Sequence, residues 1–367
     1  MEKIPCLDLK RQHATLKKEL FAIFEQVYDQ TSFSGGPFVE KFENSFKDYL
    51  GAQFCVGVSN GTVALQLALE ALGVGIEDEV IIPANTFIAT AWGVSHVGAT
   101  PVFVDCDQTW TIDPTKIEAA ITSKTKAIIG VHLYGQPFDI DAVQSICNKH
   151  NLILVEDAAQ AQGAEYKGKR VGTFGKLACF SFYPGKNLGA CGEAGGITGN
   201  DPVLADKLRM LRNHGSKVRY YHEIVGYNYR MGGFEGASLL VKMQYLEKWN
   251  LQRRQIANQY RQQIINKQVI FQKQINNTQS ANHLFVVEVE NRDHFAKYLE
   301  ENGIIPAYHY PVPCHLQEAY SNLHYKPGTM PLSEKLAKHC VSLPMFPELT
   351  SEEIEKVINV VNNYKLN

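Results

Sequence analysis

The sequence predicts an α/β protein with a mostly parallel sheet, and three observations carry that expectation. Between about residues 52 and 200, short β-rich runs alternate with turns and helical runs. Most of the β-rich runs are almost continuously apolar, as strands covered on both faces must be. The stretch Thr62-Val-Ala-Leu-Gln-Leu-Ala-Leu-Glu-Ala-Leu72 is apolar nearly all round, which marks a deeply buried helix. Such alternation gives a layered architecture with right-handed crossovers.

In chain order, strands are expected at 53–58, 79–82, 100–104, 127–133, 152–156 and 177–182. A long helix is expected over about 234–266, with Leu239, Leu240, Met243, Leu246, Ile256, Tyr260 and Ile264 at helical spacing. The grammar then changes. Residues 283–290 alternate like a half-exposed strand, 292–302 are helical, and 304–308 form another short strand. Thr350 and Glu353 make a capping box, after which Ile354, Val357, Ile358 and Val361 trace one apolar stripe. Residues 1–240 therefore read as a large α/β domain and 241–367 as a smaller α+β one.

Composition narrows the function classes. A chain of 367 residues with 45% hydrophobic and 20% charged residues is globular rather than disordered. Lys plus Arg total 36 against 38 Asp plus Glu, and a net charge of −2 argues against nucleic-acid or anionic-membrane partners. No run is long and apolar enough to span a membrane. The opening Met-Glu-Lys-Ile-Pro-Cys carries no secretory signal. Eight dispersed cysteines without a C-x-x-C pair read as reduced packing thiols, hence a cytoplasmic protein.

Two segments carry chemistry. The apolar run 152–155 ends in Glu156-Asp157-Ala-Ala-Gln160, which puts an acid where α/β sheets bind ligands. Read alone, Asp157 is best taken as a helix N-cap. The run 177–182 leads into Tyr183-Pro-Gly185-Lys186-Asn-Leu-Gly189, a lysine among glycines that let the backbone approach a ligand. About one strand–helix–strand excursion separates Asp157 from Lys186, so both can reach one sheet edge. Gly61 and Thr62 open the buried helix, whose unpaired amides and positive dipole end attract an anion.

With these segments, the chain resembles the pyridoxal-phosphate-dependent sugar-nucleotide aminotransferases of the DegT/DnrJ/EryC/StrS type. They are a branch of the fold-type I aspartate aminotransferase superfamily. Ser34-Gly-Gly-Pro37, Ser59-Asn-Gly-Thr62, Pro83-Ala-Asn-Thr-Phe87, Gly226-Tyr-Asn-Tyr-Arg-Met231 and His309-Tyr-Pro-Val-Pro-Cys-His315 extend the likeness along nearly the whole chain. The resemblance implies that Lys186 is the Schiff-base lysine and that Asp157 faces the pyridine nitrogen. Gln160 would bond the phenolic oxygen and Phe87 would stack on the ring. Ser181 would join Gly61 and Thr62 at the phosphate, with Asn228 reaching it from the other subunit of a homodimer.

The loop 182–190 is most similar to enzymes that make dTDP-3-amino-3,6-dideoxyhexoses, with glutamate as donor. On that likeness Tyr183, His309 and Tyr310 would contact a dTDP-linked keto sugar, and Arg219 would reach in from the partner. The alternative is a C-4 aminotransferase acting on a UDP-, GDP- or dTDP-4-keto sugar. Gly189, Gly192 and Gly195 have the wrong spacing for a dinucleotide fingerprint, and Gly185-Lys186-Asn fails the P-loop pattern. No group of residues has metal-site spacing. A cofactor-binding regulator is the remote alternative, disfavoured because Lys186 and Asp157 are both present and too little chain precedes Ser34 for a helix-turn-helix domain.

Overall fold

The computed structural model describes residues 3–366, so Met1 and Glu2 of the opening segment read for a signal lie outside the described residues. Its main sheet contains β1 (Phe54–Val58), β2 (Glu79–Pro83), β3 (Thr100–Val104), β4 (Thr125–Val131), β5 (Ile153–Asp157), β6 (Leu177–Ser181) and β7 (Gly195–Gly199). Their order is β1-β7-β6-β5-β4-β2-β3, and β7 alone runs against its neighbours. This is the mostly parallel α/β architecture that the apolar runs imply.

Local differences from the sequence reading have physical causes. β4 sits two residues earlier than expected, because Leu133 already belongs to the turn Leu133–Gly135. β7 escapes detection because Gly-Gly-Ile-Thr-Gly has little β propensity. Its glycines are a packing requirement: a methyl group on Gly195 would lie 2.3 Å from the Asn60 carbonyl oxygen. The crossover from β5 to β6 holds no helix. A hairpin of Glu165–Tyr166 with Lys169–Arg170 takes its place. Buried Glu156 then accepts the amides of Gly172, Phe174 and Gly175, each at 2.8 Å, supplying partners that a helix would have provided.

Helix α1 (Leu9–Asp29) packs on helices through Val241, Trp249 and Ala237, while α2 (Pro37–Leu50), α3 (Gly61–Ala71) and α4 (Ala89–His96) cover the sheet with others. Adjacent residues of one strand point into different cores, as the pleat demands. Ile82, Ile129 and Val155 pack with Leu65 and Leu67 of α3, whereas Ile81, Ile128 and Leu154 pack with Phe42 and Phe46 of α2. The expected long helix is two, Gly233–Met243 and Leu246–Gln263, because Tyr245 leaves the helical path at φ −108°, ψ −12°.

A third core joins Ile256 and Tyr260 to Phe285, Val287, Phe295, Leu299, Val341, Ile354, Val357, Ile358 and Val361. Its strands are Val269–Phe271, Phe285–Val289 and Cys340–Leu343, all antiparallel. The strand read as half-exposed is central and buried throughout; Glu288 is accommodated there by pairing with Lys335. Residues 304–308 form only single bridges, Ile4 with Ile304 and Ala307 with Ser342. The capping box forms as expected: the Glu353 amide donates to Thr350 Oγ1 at 3.2 Å, and the Thr350 amide to Glu353 Oε2 at 3.0 Å. Among the described residues no helix is long and apolar enough to cross a membrane.

Candidate active site

The carboxyl ends of β5 and β6, the start of α3 and the segment leading into α4 surround a cavity of about 840 Å³. It lies where open parallel sheets leave a crevice. Gly61, Thr62, Phe87, Asp157, Gln160, Ser181, Tyr183, Lys186 and Tyr310 all line it.

Asp157 closes β5 and is only 5% exposed. Its Oδ2 accepts the Thr90 hydroxyl at 2.7 Å and its Oδ1 the Ala159 amide at 3.2 Å. No helix follows it, so it is not the N-cap that the sequence suggested. Burial pushes its pKa up, while Thr90, the Ala159 amide, Lys186 and His132 oppose the rise. Burial acts in the opposite sense on Lys186, pushing its amine down to about 8 against the attraction of Asp157. A lysine with that pKa carries a useful fraction of neutral, nucleophilic amine near neutrality.

The loop around this lysine is braced. The Lys186 amide donates to the Tyr183 carbonyl at 2.8 Å. Buried Asn187 donates to Asn250 Oδ1 at 2.9 Å and to the Ala281 carbonyl at 2.8 Å. Buried Lys242 donates to the Gly189 carbonyl at 2.7 Å. Gln160 is fixed at both ends, accepting the Tyr134 amide at 2.6 Å and donating to Tyr310 Oη at 2.9 Å. The rings of Phe87 and Tyr310 lie 5.3 Å apart, tilted by 41°.

The opposite end of the cavity suits an anion. Asn60 caps α3 by accepting the Val63 amide at 2.9 Å. Among the described residues the amides of Gly61 and Thr62 have no hydrogen-bond acceptor. A methyl group on Gly61 would come within 2.7 Å of Ser181 Cβ, so glycine lets the helix start lie against that serine. Neutral amine, buried acid, flanking aromatic rings and free helix-start amides are the groups that a pyridine aldehyde bearing a phosphate requires. The residues present fit pyridoxal 5'-phosphate.

Three expected site residues lie elsewhere. The His309 ring bonds Ser342 Oγ at 2.7 Å, off the cavity lining, and burial with Lys186 drives its pKa down to about 4. Arg219 borders a second cavity of about 1020 Å³ shared with Arg209, Arg212, Lys217 and Arg230. Asn228 pairs through its backbone with Asn213. His315, which ends the quoted segment 309–315 and takes no role from the resemblance, is buried against Glu334 at 3.2 Å. Conversely, sequence reasoning missed Thr86, Thr90, Glu193 and Tyr229, which line the first cavity. Thr86 sits inside the quoted segment 83–87 and Thr90 one helical turn later, a spacing that could have flagged both.

A family model described as the DegT/DnrJ/EryC1/StrS aminotransferase family matches residues 14–362. The chain is 44% identical over 362 residues to dTDP-3-amino-3,6-dideoxy-alpha-D-galactopyranose transaminase of Aneurinibacillus thermoaerophilus, covering 98% of this chain and 99% of that one. It is 43% identical over 365 residues to the Pleiotropic regulatory protein of Geobacillus stearothermophilus, covering 98% of each. The crystal structure of S. venezuelae DesV in complex with a ketimine intermediate matches with a TM-score of 0.97 at 41% identity, over 99% of this chain and 98% of that one. The chain therefore belongs to the DegT/DnrJ/EryC1/StrS aminotransferase family, as an enzyme that uses pyridoxal 5'-phosphate to aminate a nucleotide-linked keto sugar.

Proposed function

We propose that the protein transfers the amino group of glutamate to C-3 of a dTDP-linked 3-keto-6-deoxyhexose, serving deoxyaminosugar and surface-polysaccharide synthesis. One observation carries the aminotransfer chemistry: an amine of lowered pKa and a buried acid face the same cavity from the ends of adjacent strands. Similarity to the Aneurinibacillus transaminase supports C-3 and dTDP, as does the lysine loop 182–190.

Pyridoxal phosphate, when bound, supplies an electrophilic aldehyde carbon and a ring that withdraws electrons. The chain's own groups do the rest. Lys186 Nζ, as the neutral amine, would hold the group at its aldehyde carbon with loss of water and, once freed, would move the proton between the substrate carbon and the cofactor carbon. Asp157, as the carboxylate, holds the ring nitrogen's proton. Gln160 and Phe87 orient the ring, while the Gly61 and Thr62 amides and the Ser181 hydroxyl bind the phosphate. Tyr183, half-exposed on the cavity lining, and Tyr310 bind the sugar nucleotide, while His309, tied to Ser342 off the lining, abuts Tyr310 with ring centres 5.4 Å apart.

We assign the protein as a homodimer in which Asn228 and Arg219 complete the partner's site. Residues 1–240 form the cofactor domain and 241–367 the smaller one in this reading. The test is incubation with glutamate and a panel of 3-keto and 4-keto nucleotide sugars, with products identified by mass and NMR. Amination of dTDP-3-keto-6-deoxyhexoses is the expected result; products only from 4-keto sugars would overturn the C-3 assignment.

A further inference from the structure

The reaction needs an ionised acid in a place that water hardly reaches. Asp157, Thr90 and Thr86 are 5%, 1% and 3% exposed, and all three line the cavity. Thr90 Oγ1 lies 2.7 Å from Asp157 Oδ2, and Thr86 Oγ1 lies 2.8 Å from Thr90 Oγ1. We infer that Thr90 is a positioning residue: its hydroxyl, backed by that of Thr86, holds the Asp157 carboxylate ionised and fixes which edge faces the cofactor's ring nitrogen. The inference rests on the pyridoxal-phosphate reading of the cavity.

A hydroxyl carries one proton, and an ionised carboxylate can only accept. Thr90 therefore donates to Asp157 and takes the Thr86 proton on its own oxygen. A neutral Asp157 that donated its proton would reverse both bonds. Ionisation is thus tied to the direction of two buried hydroxyls, and the chain is strengthened by the charge at its end. The other groups facing the carboxylate are the Ala159 amide, Lys186, His132, Tyr310 and Cys179. Only Thr90 and that amide are bonded to it among the described residues.

The scaffold is stiff enough for the task. Thr90 stands in the first turn of α4, which presses on α3 where a methyl on Gly93 would come within 2.6 Å of Leu65 Cβ. The helix that offers amides to the phosphate thus also backs the helix that carries Thr90.

Thr90→Val keeps the volume and removes the hydroxyl, whereas Thr90→Ser keeps the hydroxyl. In the holoenzyme, T90V should still be labelled by borohydride at Lys186. Its kcat should fall roughly 10- to 100-fold with little change in the donor KM, and the acid limb of kcat should move up by about one pH unit. The sign follows because losing a donor to the charged form raises the pKa of the acid. T90S should recover to within about threefold of wild type. Thr86→Val should move the same limb upward by less. A wild-type pH profile in T90V, or T90S as impaired as T90V, would overturn the inference. If T90V does not fold, an unmoved limb in T86V overturns it instead. Borohydride label absent from wild-type Lys186 would remove the cofactor reading itself, an outcome separable from all of these.

Discussion

At the scale of single residues, the site turns on what burial does to two charges of opposite sign. It pushes Asp157 up and Lys186 down, to about 8 for the lysine. The neutral amine is the form that captures an aldehyde. The rate at which apoprotein turns yellow with added pyridoxal phosphate should therefore climb about tenfold per pH unit below 7 and level off above about 8. A pH-independent rate would contradict the assignment. Lys186→Ala should abolish turnover, by at least about a thousandfold in an aminotransfer assay, while the protein stays folded. Asp157→Asn should keep the cofactor yet slow catalysis severely; near-normal rates would make this acid merely structural. Both residues were legible in the sequence because their neighbours betray them, one at the end of an apolar run and one among glycines. Thr90 offered only its four-residue spacing from Thr86; its pairing with an acid 67 positions away on another element leaves no local mark.

At the scale of elements, glycines set how closely the pieces of the site approach. β7 passes the Asn60 carbonyl so tightly that Gly195→Ala must displace the start of α3. Overpacking of this kind costs about 1–3 kcal/mol, readable from denaturant midpoints, and here it should also loosen cofactor retention on gel filtration. Undiminished stability and retention would show that the helix start tolerates movement. Apolar continuity made six strands readable, and the capping box made the C-terminal helix readable. Elements without such signals stayed hidden. β7 is mostly glycine, and the break after Met243 contains neither glycine nor proline, only Gln244 and Tyr245. The loop 172–175 that follows the hairpin in the crossover is held by a buried carboxylate, a tertiary bond that periodicity cannot reveal.

At the scale of the molecule, the second cavity gathers Arg209, Arg212, Lys217, Arg219 and Arg230 in a protein of net charge −2. In the proposed dimer this basic surface serves the other subunit. Mixing Lys186→Ala with Asn228→Ala should then restore activity, because a hybrid dimer holds one intact site; random pairing gives about a quarter of all sites. No recovery would show that each chain is self-sufficient. The same long-range logic governs how the chain is made. Ile4 donates its amide to the Gly303 carbonyl at 2.9 Å, accepts that of Ile305 at 2.9 Å, and enters the third core. At roughly 5–20 residues per second of synthesis, Ile4 waits on the order of 15 to 60 s on the ribosome before its partners exist. The nascent polypeptide thus carries the stretch of chain around Ile4 as a loose thread, and tying it in is among the last acts of assembly.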